Sequence, residues 1–174
     1  MPKKISYKKI TILVAVAVCI TSIWFVKNLN TQSEAVKSTT VSSDFSLNIV
    51  EEINITKLKS YKLPIIIDFG ADSCASCKMM APILEKLNTE LRDKAIIRFV
   101  DVWKYSSLAN GFPVRTIPTQ IFIDAEGNNY NPSQAIISKV HFQSAVINKI
   151  NYTYHEGGLK ENDLRLILSD MEIK

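Results

Sequence analysis

The feature that most constrains this chain is a junction between two kinds of periodicity. The apolar run Leu63–Ile67 leads into Asp68-Phe69-Gly70-Ala71-Asp72-Ser73-Cys74-Ala75-Ser76-Cys77-Lys78, and Met80, Ile83, Leu84, Leu87 and Leu91 then follow at helical spacing. A buried strand that passes within a few residues into an amphipathic helix places Cys74 where the helix begins. The free N–H groups of a first helical turn, and its positive dipole end, stabilise a thiolate at that point. A second thiol one turn later, Cys77, can resolve a mixed disulfide formed by the first. The chemistry suggested is thiol–disulfide exchange.

Two blander uses of a CxxC pair compete with it. A structural zinc site needs four ligands, but the third cysteine, Cys19, sits inside an apolar run. His141 and His155 lie far along the chain without ligand spacing. A purely structural disulfide would close so short a loop that it restricts the unfolded chain little. Both rank below exchange.

The first 45 residues differ in kind from the rest. Lys3, Lys4, Lys8 and Lys9 precede an uncharged run from Ile10 to Val26, about 17 residues and near the lower limit for spanning a bilayer. Trp24 and Phe25 close that run as an aromatic belt would. The expectation is a basic cytoplasmic tail (1–9), a transmembrane anchor (10–27), and a globular domain outside the cytoplasm. A cleaved signal, with Ser33-Glu34-Ala35 as the cleavage site, is the first alternative, and lipidation at Cys19 the second. All three export the domain. Residues 28–45, rich in Ser and Thr, read as a flexible tether. The net charge of +4 owes much to the four leading lysines, and no later basic stripe is interleaved with aromatics, so nucleic acid is not an expected partner.

From residue 46 to 174 strands and helices alternate, which implies an α/β fold with a mixed sheet. Expected strands are Leu47–Ile53, Pro64–Phe69, Ala95–Val102 and Gln120–Asp124. Expected helices are Thr56–Lys62, 75–92 with a kink at Pro82, Ser106–Asn110 and 159–171. Phe112–Arg115 reads as extended, and Asp124-Ala125-Glu126-Gly127 as a turn.

Three segments together resemble the thioredoxin family. They are Ile67-Asp68-Phe69, Cys74-Ala75-Ser76-Cys77-Lys78-Met79-Met80-Ala81-Pro82-Ile83-Leu84, and Val114-Arg115-Thr116-Ile117-Pro118-Thr119. Their spacing, with Asp101-Val102 between the second and third, is that of thioredoxins. The resemblance covers most of residues 47–171 and implies a thioredoxin-like three-layer fold, a mixed central sheet flanked by helices, with a cis peptide before Pro118. It implies that Cys74 attacks, that Cys77 resolves from a more buried position, and that Pro118 lies against the pair. The backbone of Thr116 and Ile117 would hold a substrate strand by β-pairing. Asp68 would be the buried acid that exchanges a proton with Cys77; the plainer reading is a strand-end carboxylate bonded to a turn. No cofactor beyond the redox-active Cys74–Cys77 disulfide, no metal, and a monomer are expected.

The departures bear on specificity and redox poise. Thioredoxins usually carry Trp at the positions of Gly70 and Ser73, Gly-Pro at Ala75-Ser76, and often Lys at Phe99. Where they cross between Gly127 and Gly157 in under ten residues, this chain uses about thirty, an insertion at about 128–156. Its alternating apolar residues over 139–154 read as an edge hairpin, or else as a partner-docking surface. His155 reads as structural. The leading expectation is an extracytoplasmic, membrane-anchored reductase of protein disulfides, fed by a membrane-embedded thiol carrier. A dithiol oxidase is the runner-up. A non-catalytic module binding thiols or Cu(I) comes third, since no methionine or histidine motif supports it beyond Met79 and Met80.

Overall fold

The structure is a computed structural model that describes residues 43–171. The basic tail at 1–9, the apolar segment at 10–27 and all but the end of the tether lie outside the described residues. Among the described residues no helix is long and apolar enough to cross a membrane. Ser43–Phe45 forms one 3-10 turn, and the Phe45 ring meets Tyr61 edge-on at 4.9 Å between centroids.

The first strand, β1 (Asn48–Ile49), is much shorter than the apolar stretch Leu47–Ile53 suggests. It ends where Glu51 and Glu52 stay in solvent. Helix α1 (Ile55–Ser60) starts because Asn54 Oδ1 accepts the Lys57 N–H at 2.9 Å, and Lys62 at φ +54° turns the chain away after it. Strand β2 (Ile65–Gly70) is buried at all six positions. Helix α2 (Ala75–Glu90) follows the cysteine loop and runs on through Pro82; it buries Cys77, Met80, Leu84 and Leu87 on its sheet-facing side. Strand β3 (Ile96–Asp101) then runs parallel to β2. Ser106–Ala109 forms a 3-10 turn rather than an α-helix. Strand β4 (Thr119–Ile123) lies antiparallel to β2 on its other side.

The long segment after Gly127 contains a short helix, α3 (Gln134–Ile137), then strands β5 (Gln143–Ile147) and β6 (Ile150–Glu156). Asn148 and Lys149 join the two strands, both at positive φ (52° and 66°), as a two-residue hairpin turn requires. Helix α4 (Glu161–Asp170) closes the chain with Leu164, Ile167 and Leu168 buried. The sheet order is β1-β3-β2-β4-β6-β5, parallel across the first three strands and antiparallel across the rest.

Strand alternation divides the core. Ile66, Ile97 and Phe122 face α2 and α4, while Ile65, Ile67 and Phe69 face Leu58 of α1 and the opposite layer. Helices therefore cover both faces of a mixed sheet, the expected three-layer α/β arrangement. Fully burying an Ile or Leu is worth about 1.5–3 kcal/mol, so β2, buried at all six positions, anchors the cysteine loop in the core. Asp68 and Gly70, two residues apart, share the α2 face with Ile66.

Candidate active site

Cys74 is the N-cap of α2, at φ −80° and ψ 128°. Its Sγ accepts the Cys77 N–H at 3.3 Å and lies 3.3 Å from Ser76 Oγ. With the helix N-terminus, these contacts surround the sulfur with positive partial charge, which favours its thiolate form. Cys74 is half-buried, whereas Cys77 one turn later is only 4% exposed. The two are joined as a disulfide with Cα atoms 5.2 Å apart. One sulfur can be reached from solvent and the other only from within.

The Ile117–Pro118 peptide is cis. Because Thr119 pairs with Phe69 in the β2–β4 register, Pro118 lies level with the end of β2, where the cysteine loop begins. Pro118 is buried, Ile117 half-buried and Thr116 exposed. The Thr116 carbonyl already accepts the Thr119 hydroxyl at 2.7 Å. Ile117 makes no backbone hydrogen bond among the described residues. The chain leaving β6 closes the other side: the Gly157 N–H donates to the Pro118 carbonyl at 2.8 Å, and a Cβ at Gly158 would lie 3.9 Å from Ser76 Cβ. Arg115 ties the same loop to the hairpin, donating to Glu156 Oε1 at 3.2 Å and Gln143 Oε1 at 3.0 Å.

Asp68 is fully buried under α2, and burial pushes its carboxyl up to about 7 against a hydrogen bond from Gln120 that lowers it. Gln120 donates to Asp68 Oδ1 at 2.6 Å from the facing position on β4. Asp68 does not cap a turn: among the described residues its hydrogen-bond partner is a side chain across the sheet. Gln120 is a site residue that the motif reading missed. Its one signal is a lone amide inside the apolar run Gln120–Ile123.

Two departures from the family pattern prove to be one packing arrangement. A Cβ at Gly70 would sit 2.9 Å from Phe99 Cε2 and 3.1 Å from Cys77 Sγ. Phe99 stands opposite Asp68 on β3, so its ring takes space that a larger residue at 70 would need. A third feature braces the loop. Burial would push the Asp101 carboxyl up, but the N–H groups of Lys104, Asp72 and Trp103 and the Lys104 ammonium outweigh it and hold the group below its usual range. Those N–H groups donate at 3.1, 3.2 and 3.0 Å, and Lys104 also pairs with Asp72. Among the described residues no group of three or more His, Cys, Asp or Glu is gathered as for a metal ion.

Comparison with known proteins agrees with this geometry. Residues 47–148 match the family described as Thioredoxin. Thioredoxin from Borreliella burgdorferi is 32% identical over 92 residues, 47% of this chain and 79% of that protein. Chloroplastic thioredoxin Y from rice is 36% identical over 64 residues, 37% of this chain, and the chain spans only 38% of that relative's length. Among solved structures, a mutant thioredoxin from Halobacterium salinarum superposes with a TM-score of 0.50 at 24% identity, covering 78% of this chain and 98% of that one, which speaks to the fold alone. The chain belongs to the thioredoxin family.

Proposed function

We propose that this protein is a membrane-anchored, extracytoplasmic thiol–disulfide oxidoreductase that reduces protein disulfides with electrons from a membrane-embedded thiol carrier. The observation that carries the chemistry is the asymmetry of the pair: Cys74 is half-exposed at a helix N-cap with two donors on its sulfur, and Cys77 is buried behind it. In the reduced protein the Cys74 thiolate attacks a substrate disulfide, forming a mixed disulfide and releasing one substrate thiolate. Cys77 then gives its proton to Asp68, and its sulfur attacks Cys74. The Cys74–Cys77 bond forms, the bond to substrate breaks, and the second substrate sulfur leaves with the electron pair and takes a proton from solvent. Two electrons pass from the dithiol to the substrate. Pro118, which has no N–H, and the Ile117 backbone, unpaired among the described residues, support the reading that an extended substrate segment pairs there.

Export and anchoring are supported by the four lysines before the apolar run Ile10–Val26. Outside the cytoplasm a soluble reductant cannot be assumed, which is why a membrane thiol carrier is the proposed donor. The opposite direction, oxidation of substrate dithiols, is favoured by one observation: the Ser76 hydroxyl lies 3.3 Å from Cys74 Sγ, where it bonds a thiolate more strongly than a disulfide sulfur. The test of the assigned roles is trapping. Cys77→Ala should accumulate substrates as mixed disulfides on Cys74, whereas Cys74→Ala should trap almost none. Equal trapping by both variants contradicts the roles.

A further inference from the structure

Gln120 has zero exposure on a strand otherwise built of apolar residues and Thr119. An amide so buried costs stability unless its hydrogens are used. Both are: Nε2 donates to Asp68 Oδ1 at 2.6 Å and to Met80 Sδ at 3.5 Å. Neither partner can donate to it when Asp68 is ionised, which identifies the nitrogen end of the amide. Met80 Sδ is held in turn by the Leu159 N–H at 3.4 Å. The amide is therefore gripped by β2 on one side and by α2 on the other. What remains is a matched pair of bare atoms. Asp68 Oδ2 and Gln120 Oε1 are both buried and without a hydrogen-bond partner among the described residues.

We infer that Gln120 is a positioning residue of the exchange reaction: it occupies Oδ1 of Asp68 and so leaves Oδ2 as the oxygen that takes the Cys77 proton. This rests on the reading of Cys74 and Cys77 as an exchange centre. Cys77 Sγ lies over Gly70, one step along the same face of β2 from Asp68. The proton passes from Cys77 Sγ to Oδ2 as the Cys77 sulfur bonds to Cys74, while the Gln120 amide keeps Oδ1 occupied. No other charged group intrudes on the carboxyl. From β3 the facing residue is Phe99; Arg98 points to the opposite face and donates to the Asp44 carbonyl, and Asp101 is turned to the loop N–H groups. From α2 the facing groups are Cys77 and Met80. Beyond Gln120, His155 of β6 is held to the His141 carbonyl at 2.7 Å.

The test uses the purified full chain in mild detergent, oxidised and labelled at the Asp carboxyl carbon, with the Asp68 signal followed against pH. Wild type should inflect near 7. Gln120→Leu and Gln120→Met remove the donor at similar volume, and each should move the inflection up by about one to two pH units. Single-turnover reduction of insulin disulfides should slow about five-fold or more at pH 7 and recover by pH 9, since the carboxylate is the form that accepts the proton. In an Asp68→Asn background Gln120→Met should change nothing further. An inflection that stays in place, or a slowing that is uniform with pH or persists in that background, overturns the inference and leaves Gln120 a packing residue. Failure of the wild-type chain to reduce insulin overturns the proposed function instead, and the Asp68 titration reads the amide's hold on the carboxyl independently of it.

Discussion

Ser76 stands where most thioredoxins carry proline, and its hydroxyl lies 3.3 Å from Cys74 Sγ. In the oxidised protein the hydroxyl meets a neutral disulfide sulfur. In the reduced protein it donates to a charged thiolate, a stronger bond, so it stabilises the dithiol side and raises the reduction potential. A hydrogen bond to a charged group is worth about 1.5–3 kcal/mol when buried. Ser76 and Cys74 are both half-exposed, so solvent competition brings this to roughly 1–1.5 kcal/mol. For a two-electron couple about 1.4 kcal/mol corresponds to 30 mV. Ser76→Ala should therefore lower the potential by about 20–30 mV, and Ser76→Thr should leave it near wild type. Ser76→Pro should lower it at least as far, since the N–H lost belongs to the first helical turn and is not needed for the helix. Wild type is expected above the roughly −270 mV of thioredoxin and well below the roughly −120 mV of the strongest dithiol oxidants. The assay is equilibration of the full chain with dithiothreitol or glutathione buffers, the fraction oxidised being read by thiol alkylation. An unchanged or raised potential in Ser76→Ala refutes the hydroxyl argument. A wild-type value close to the strong oxidants' reverses the direction assigned to the enzyme.

Gly70→Ala should destabilise the oxidised chain by about 1–3 kcal/mol in urea unfolding, because the new Cβ meets Phe99 and Cys77 Sγ. Phe99→Leu should recover much of that loss, and a Gly70→Ala chain as stable as wild type would remove the packing argument. Asp68 retains its proton in the folded chain up to about pH 7, whereas the unfolded chain loses it near 4. Stability should therefore fall as pH rises across that window. Asp68→Asn should match wild type at pH 4 and exceed it at pH 8 by up to roughly 4 kcal/mol; equal unfolding midpoints at pH 8 contradict the buried-acid account. For topology, protease added to intact cells or spheroplasts should release the domain by cutting within 28–45, and protection until lysis would overturn the export reading and its choice of electron donor.

The local part of the site is legible in the residues alone. The strand-to-helix junction and the placement of Cys74 at a helix start follow from apolar periodicity, while the burial of Cys77 one turn later is what the resemblance to thioredoxins implies. The run Ile65–Ile67 reads as a doubly covered strand because every residue in it is apolar. The same reasoning overextends the first strand. Val50 and Ile53 continue the apolar pattern, but the register with β3 stops at Ile49. Which distant residues meet is settled by tertiary packing instead. Gln120 faces Asp68 across 52 positions, Phe99 excludes a side chain at Gly70, and Asp101 accepts the N–H of Asp72. Each of these depends on strand register, and a shift of one residue would turn each side chain to the opposite face of the sheet. Register is chosen by the packing of the whole core, whereas the helix cap that exposes Cys74 is closed within four residues of chain.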